Sequence, residues 1–144
     1  MRLWDYRLIP VLDNKHLVAL WRECIAIKKQ WEKGTLKHRL VSYVTDYDIS
    51  FFITYVNKIV AELEKRKIKY NKSLRNEIWD FFPNGKYPIL GMNYPEHNDR
   101  YLLQCLYNLQ EKYDRKIISE NEWKPIEEFW DKLIKKKMAE ENDE

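Results

Sequence analysis

Glu23, in the run Trp21-Arg22-Glu23-Cys24, is the residue whose setting most plainly suits chemistry. On a helix its neighbours at three and four residues are Ala19, Leu20, Ala26 and Ile27, so the ion pair a surface glutamate usually makes has no local partner. Two of the four are alanines, which leaves open space beside the carboxylate. Such a group can shuttle protons or stabilise positive charge on a substrate. The competing reading is a structural glutamate that caps a helix or pairs with a distant arginine. Arg22 also lacks an acid at helical spacing and can reach either a phosphate or a tertiary carboxylate. His16 lies two turns before Glu23 on the same helical line, where it either lines a cleft or is a partly buried structural histidine.

The element that must position these groups is a helix capped by Asp13 and running from Asn14 to about Trp31. Its apolar stripe is Leu17, Leu20, Trp21, Cys24, Ile25 and Lys28, where the lysine stem can snorkel. Beside that stripe runs a line of His16, Ala19, Glu23, Ala26, Ile27 and Gln30, which sets Glu23 at the edge of the buried face. Gly34 ends the segment. Residues 3–12 are apolar and aromatic without a clean period.

Ser50 is expected to cap a second long helix to about Lys67, with Phe52, Val56, Ile59, Val60 and Leu63 facing inward. A short helix after Ser73 would contain Leu74, Ile78 and Trp79. Phe82-Pro83-Asn84-Gly85 reads as a turn, and Pro88, Gly91 and Pro95 as an irregular loop. Asn98 or Asp99 caps another long helix to about Ile117, with Leu102, Cys105, Leu106, Leu109 and Tyr113 as its stripe. Ser119 and Glu122 form a capping-box pattern before a final helix that Pro125 is expected to break or restart. There Ile126, Phe129, Trp130, Leu133 and Ile134 would pack inward. No repeat and no strand pattern is convincing. The expected fold is all-α: a compact single-domain bundle of three long helices plus short ones over residues 1–138, followed by an acidic, frayed tail at 139–144.

With 144 residues and only three glycines, one helical domain with a real core is the natural solution. No apolar run is long enough to span a bilayer and no signal-peptide core is present, so a soluble, cytoplasmic chain is expected. Cys24 and Cys105 fall on apolar faces of separate helices and read as buried thiols rather than a disulfide framework. His16, His38 and His97 show no metal-ligand spacing, and no metal is expected.

Net charge is +3, and four acids gather in the last six residues, so the remainder is more basic still. Lys28 to Arg39 holds five cations against Glu32, and Glu64 to Arg75 holds six against Glu64. Such stretches either attract a polyanion, chiefly nucleic acid, or are simply solvated lysine surface.

Several of these residues together resemble the phage-type, UV-specific endonuclease V family of pyrimidine-dimer DNA glycosylases. The likeness begins at Met1-Arg2-Leu3 and continues through His16-Leu17 and Arg22-Glu23 at similar spacing. Weaker likeness follows in Ile59-Val60-Ala61-Glu62 with Lys65-Arg66, in Pro95 and His97, and in Leu109, Glu111 and Lys112. About two-thirds of the chain can be laid loosely alongside the family. The resemblance implies an all-helical, cofactor-free DNA glycosylase and apurinic/apyrimidinic lyase acting on damaged or abasic double-stranded DNA. Its nucleophile would be the N-terminal amine, here that of Met1, since Arg2 is too large a second residue for ordinary Met removal. Glu23 would assist as the carboxylate, with Arg2, Arg22 and His16 contacting DNA. Two departures bear on lesion choice: Ala26 stands where the phage pattern has an arginine, and Glu128-Phe129-Trp130-Asp131-Lys132 does not reproduce its aromatic-Lys-Tyr-Tyr segment.

The chemistry is self-consistent. An α-amino group titrates near 7.7–8.0, about two units below lysine, so it is partly neutral at pH 7 without special tuning. Its attack on a sugar carbon gives a Schiff base, from which the 3′ phosphate can be eliminated. Reaching that carbon requires extruding a nucleotide. Two other classes fit the same residues: a non-catalytic nucleic-acid-binding protein of this fold, and a helical module that meets an acidic protein partner. The chain is expected to be a monomer.

Overall fold

In the computed structural model the described residues are 2–80 and 91–142. They form five α-helices and two short 3-10 helices, and no strand occurs among them. The all-α expectation holds.

Helix α1 (Asn14–Lys33) starts and stops as its sequence dictates: the Asp13 side chain accepts from the His16 amide, and Gly34 closes the helix in the left-handed region at φ 66°. Its buried face is Leu17, Leu20, Trp21, Cys24, Ile27 and Lys28. Ile27, expected on the line beside Glu23, is wholly buried, whereas Ile25 is only half-buried. The Lys28 stem lies in the core and its ammonium reaches out to Glu32.

Helix α2 (Ile49–Lys65) is the central element, with nine buried residues from Ser50 to Leu63. Its cap is Asp48, whose carboxylate accepts from the Ser50 amide; Ser50, expected as the cap, is inside the helix and buried. The short α3 (Lys72–Trp79) is capped by Asn71 rather than started by Ser73. In both cases an Asx side chain two residues upstream outcompetes the serine, because its carbonyl oxygen reaches the free amides of the first turn.

Helix α4 (Asp99–Asp114) is capped by Asn98, and α5 (Glu120–Asn142) opens with the reciprocal Ser119–Glu122 capping box. Pro125 does not break α5. It removes one hydrogen bond early in the helix, while buried Trp123 and Ile126 on either side hold the chain in register. Phe129, Trp130 and Leu133 are half-buried, but Ile134 is 47% exposed, contrary to its expected inward placement. Helix α5 stays helical to Asn142, past the start of the acidic tail at Ala139. The expected turn at 82–85 and Pro88 lie outside the described residues. Between Asp5 and Asp48 the chain adds what periodicity did not reveal: 3-10 helices at Tyr6–Val11 and Ser42–Asp46.

Candidate active site

The first residues of the chain are fixed by hydrogen bonds to backbone atoms that no regular element satisfies. Leu3 and Trp4 are buried, and their carbonyls accept from the hydroxyls of Tyr101 (α4) and Tyr55 (α2) respectively. The Tyr6 amide donates to Nδ1 of His97 at 3.3 Å, and the other ring nitrogen lies 2.6 Å from the Tyr43 hydroxyl. Because Nδ1 accepts, the ring proton sits on Nε2 and is donated to Tyr43. Burial keeps His97 neutral, lowering its pKa to about 4. Burial also pushes the Tyr43, Tyr55 and Tyr101 hydroxyls above their ordinary range, so they remain donors.

Two arginines complete the frame. Arg7 grips the fully buried Asp5 through Nε and Nη2, both at 3.0 Å, and reaches Asp99 at 2.8 Å. The Asp5 contact raises the Arg7 pKa, so the guanidinium is permanently charged. Arg66 leaves the basic 64–75 stretch, turns inward, and donates to the carbonyls of Ile9, Pro10 and Leu12 at the end of the first 3-10 helix. All this places the amide of Arg2 3.0 Å from Oε2 of Glu23.

That contact lies in an open cleft of about 360 Å³. One wall is the α1 line of His16, Ala19, Leu20 and Glu23; Arg2 and Trp4 form the floor, and Asn108 and Lys112 of α4 face them. Leu40 brings the end of the Lys28–Arg39 stretch to the rim. Three candidates from the sequence, Glu23, Arg2 and His16, thus share one cavity. Met1 lies outside the described residues. Arg22 is exposed and does not line this cleft, since one residue along a helix turns the side chain by about 100°.

His16 is held by its neighbour. Its Nδ1 lies 2.8 and 2.9 Å from the two carboxylate oxygens of Asp13, and Trp4 packs edge-on against the ring. Burial acts to raise the Asp13 pKa, but the hydrogen bond and charge of His16 together with backbone hydrogen bonds outweigh it, and the carboxyl is held below its ordinary value. The Arg2 guanidinium rests over the Tyr101 ring, 5.9 Å from its centroid. Lys112 makes no ion pair among the described residues, so the cleft holds an unneutralised ammonium opposite the Glu23 wall.

The basic 64–75 stretch is elsewhere. Trp21 meets Tyr70 at 5.6 Å, and Trp21 is about 200° around α1 from Glu23. The depression lined by Lys67, Lys69, Tyr70 and Lys72 is therefore on the far side of α1 from the cleft. Two further cations of that stretch are internal: Arg66 on its carbonyls, and Arg75 against Tyr70 and Glu64. Among the described residues no group of three His, Cys, Asp or Glu side chains is arranged to hold a metal ion.

The family model described as pyrimidine dimer DNA glycosylase matches residues 1–76, more than half of the chain. The chain belongs to the pyrimidine dimer DNA glycosylase family. No curated protein and no solved structure matches it. The glycosylase-family match covers the α1 wall, the N-terminal floor and the Tyr55 clamp, while Asn108, Lys112, His97 and Tyr101 fall beyond it. Ala26 stands where the phage-type pattern has an arginine; the α1 residues that line the cleft include no lysine or arginine, and Lys112 lies on the opposite wall.

Sequence reasoning missed Asp13 as the partner of His16, and it missed Asn108 and the tyrosine clamps. Asp13 had a local signal, its three-residue spacing to His16. Asn108 and the tyrosines had none, because Asn108 reaches the cleft, and the tyrosines the N-terminal segment and His97, only through tertiary packing.

Proposed function

We propose that the protein is a DNA glycosylase with apurinic/apyrimidinic lyase activity that acts on damaged double-stranded DNA through an N-terminal amine. The Met1 amine attacks C1′ of an extruded damaged nucleotide and the base leaves with the electrons of its C1′ bond, taking up a proton; the C1′–O4′ bond then breaks, O4′ takes a proton, and the Schiff base forms between C1′ and the amine nitrogen. Elimination then breaks the bond from C3′ to the phosphate. Glu23 stabilises the positive charge that develops on the sugar and on the iminium. Arg2 and Lys112 bind flanking phosphates, and pyrimidine dimers are the first lesion to test.

The observation that carries this reading is the hydrogen bond from the Arg2 amide to Glu23, which ties the residue next to Met1 to a cleft carboxylate that has no ion-pair partner among the described residues. The phosphate role of Lys112 rests on its unpaired ammonium in the same cleft. A chain that lost Met1 would bear its amine on Arg2 N, again beside Glu23 at 3.0 Å. Intact mass of the purified protein tells the two amines apart.

The test is borohydride trapping on a duplex with a single abasic site. A covalent adduct that disappears when the N-terminus is acetylated supports the proposal. A free amine that gives no adduct, in protein that binds the duplex, overturns it in favour of a non-catalytic DNA-binding role. No salt-sensitive duplex binding at low ionic strength would instead favour a protein partner.

A further inference from the structure

We infer that Leu40 is a wedge: its side chain enters the base stack beside the extruded nucleotide and fills the gap left there. This role rests on the reading above in one respect, that the cleft takes a nucleotide drawn out of a duplex.

A half-exposed leucine is by itself ordinary. Leu40 is set apart by where it stands. Among the described residues that line the cleft, only Ala19 and Leu40 are exposed, and Ala19 is too small to reach into a stack. The other large apolar side chains there, Trp4 and Leu20, are buried. Leu40 is 47% exposed at the mouth of the same cavity that holds the Arg2–Glu23 contact. A sugar reaches that contact only through the mouth, so a duplex delivering it must lie against whatever projects there.

The chain around Leu40 is built to hold it out. The Val41 amide donates to the His38 carbonyl at 3.1 Å, which makes Arg39 and Leu40 the corner residues of a turn. The Ser42 amide donates to the same carbonyl at 2.9 Å, and the Leu40 amide to Nδ1 of His38 at 3.3 Å. Val41 and Val44 are wholly buried and Tyr43 is joined to His97, so the turn is fastened to the core one residue beyond Leu40. A leucine kept for stability would turn inward, as Leu36 does four residues earlier. Lys37, His38 and Arg39 flank the tip on its other side, and all three are exposed. An apolar tip beside cations suits a kinked duplex: the cations hold phosphates while the tip replaces a lost stacking partner.

No bond is made or broken at Leu40. A nucleotide outside the stack tends to fall back, and a side chain in the vacated space blocks its return and covers the exposed base faces. Leu40 is therefore a positioning residue. It acts on the balance between stacked and extruded nucleotide, not on the amine or on Glu23.

The experiment uses the full-length protein and two substrates with one abasic site. One is a duplex paired on both sides of the site; the other has the flanking bases unpaired, so its stack is already open. In the paired duplex the neighbouring base is 2-aminopurine, an adenine analogue whose emission rises when it unstacks. With saturating wild-type protein the emission should rise. With saturating Leu40→Ala it should stay near that of the free duplex, and with Leu40→Met, a side chain of similar volume, it should rise again. Borohydride trapping by Leu40→Ala should slow about tenfold or more on the paired duplex, the order expected from burying one leucine side chain, and less than about threefold on the open substrate. Emission that does not rise with the wild type, or rises as much with Leu40→Ala, overturns the wedge. A trapping loss equal on both substrates also overturns it, since Leu40 would then shape the cleft rather than the DNA. If the wild type raises the emission through Leu40 and traps nothing on either substrate, the amine reading fails and the wedge stands.

Discussion

Arg2 and Glu23, 21 residues apart, are joined by a 3.0 Å hydrogen bond from the backbone amide of one to the carboxylate of the other. The bond is the end point of a chain of constraints. Tyrosine hydroxyls from α2 and α4 hold the carbonyls of Trp4 and Leu3, His97 holds the Tyr6 amide, and Arg66 holds the carbonyls beyond. A segment with no regular secondary structure is thereby as fixed as a strand in a sheet, which is what a nucleophile at a chain terminus needs.

Glu23→Gln should preserve the fold, because the amide oxygen still accepts from Arg2 and no ion pair among the described residues is lost. Strand scission on abasic duplex should fall by about 10²–10³-fold, the usual cost of removing a charge-stabilising group. A single-turnover cleavage assay checks this. Activity within tenfold of wild type would exclude Glu23 from the reaction.

Tyr101→Phe removes the donor to the Leu3 carbonyl and leaves that buried acceptor unpaired, at a cost of about 1–3 kcal/mol in urea unfolding. Duplex affinity should change little while the scission rate falls about tenfold or more, because the N-terminal segment is no longer pinned. Equal losses in affinity and rate would mean that Tyr101 supports only the fold.

His97 must be neutral to accept the Tyr6 amide. Its pKa is lowered by burial from 6.5 to about 4, so the folded state binds this proton less tightly than the unfolded chain. Stability from this source is full above about 6.5 and is lost as pH falls toward about 4, by up to about 3 kcal/mol. Denaturant midpoints measured across that window should drop in the wild type and flatten in His97→Gln. The depressed carboxylates Asp13 and Asp99 begin to lose their own contribution only below about pH 5, so the part of the window above that reports His97.

Arg66 and Lys65 are adjacent in the sequence and opposite in role. Arg66→Met deletes charge-assisted bonds to three carbonyls and should cost about 2–3 kcal/mol. The exposed Lys65→Met should stay within about 0.5 kcal/mol. Urea melts of the two variants give the comparison directly, and similar losses would show that Arg66 contributes no more than a surface cation.

Helix existence was legible because apolar spacing along α1, α2 and α4 follows the helical period, and because Asp13, Gly34 and the Ser119–Glu122 box are local signals. The α1 wall of the cleft was legible for the same reason: His16 and Glu23 sit on one helical line. The 3-10 helices were not, since Tyr6–Val11 is held by distant side chains rather than by its own pattern. Arg66 and Arg75 looked like surface charge because composition carries no direction; only packing turned them inward. The α4 wall is hidden for a related reason. Asn108 and Lys112 line the cleft from α4, far along the chain from α1, and nothing near them in the chain announces it.

The two thiols have a practical consequence. Cys24 follows Glu23 on α1 and Cys105 sits between the Tyr101 clamp and Asn108 on α4, both fully buried, with burial raising their pKa. In the native state neither presents a thiolate to solvent, so an alkylating reagent reacts only when the packing around it opens. Each wall of the cleft therefore carries its own clock. Alkylation rates at Cys24 and Cys105, with and without duplex, report separately how often each side breathes, with no label added to the protein.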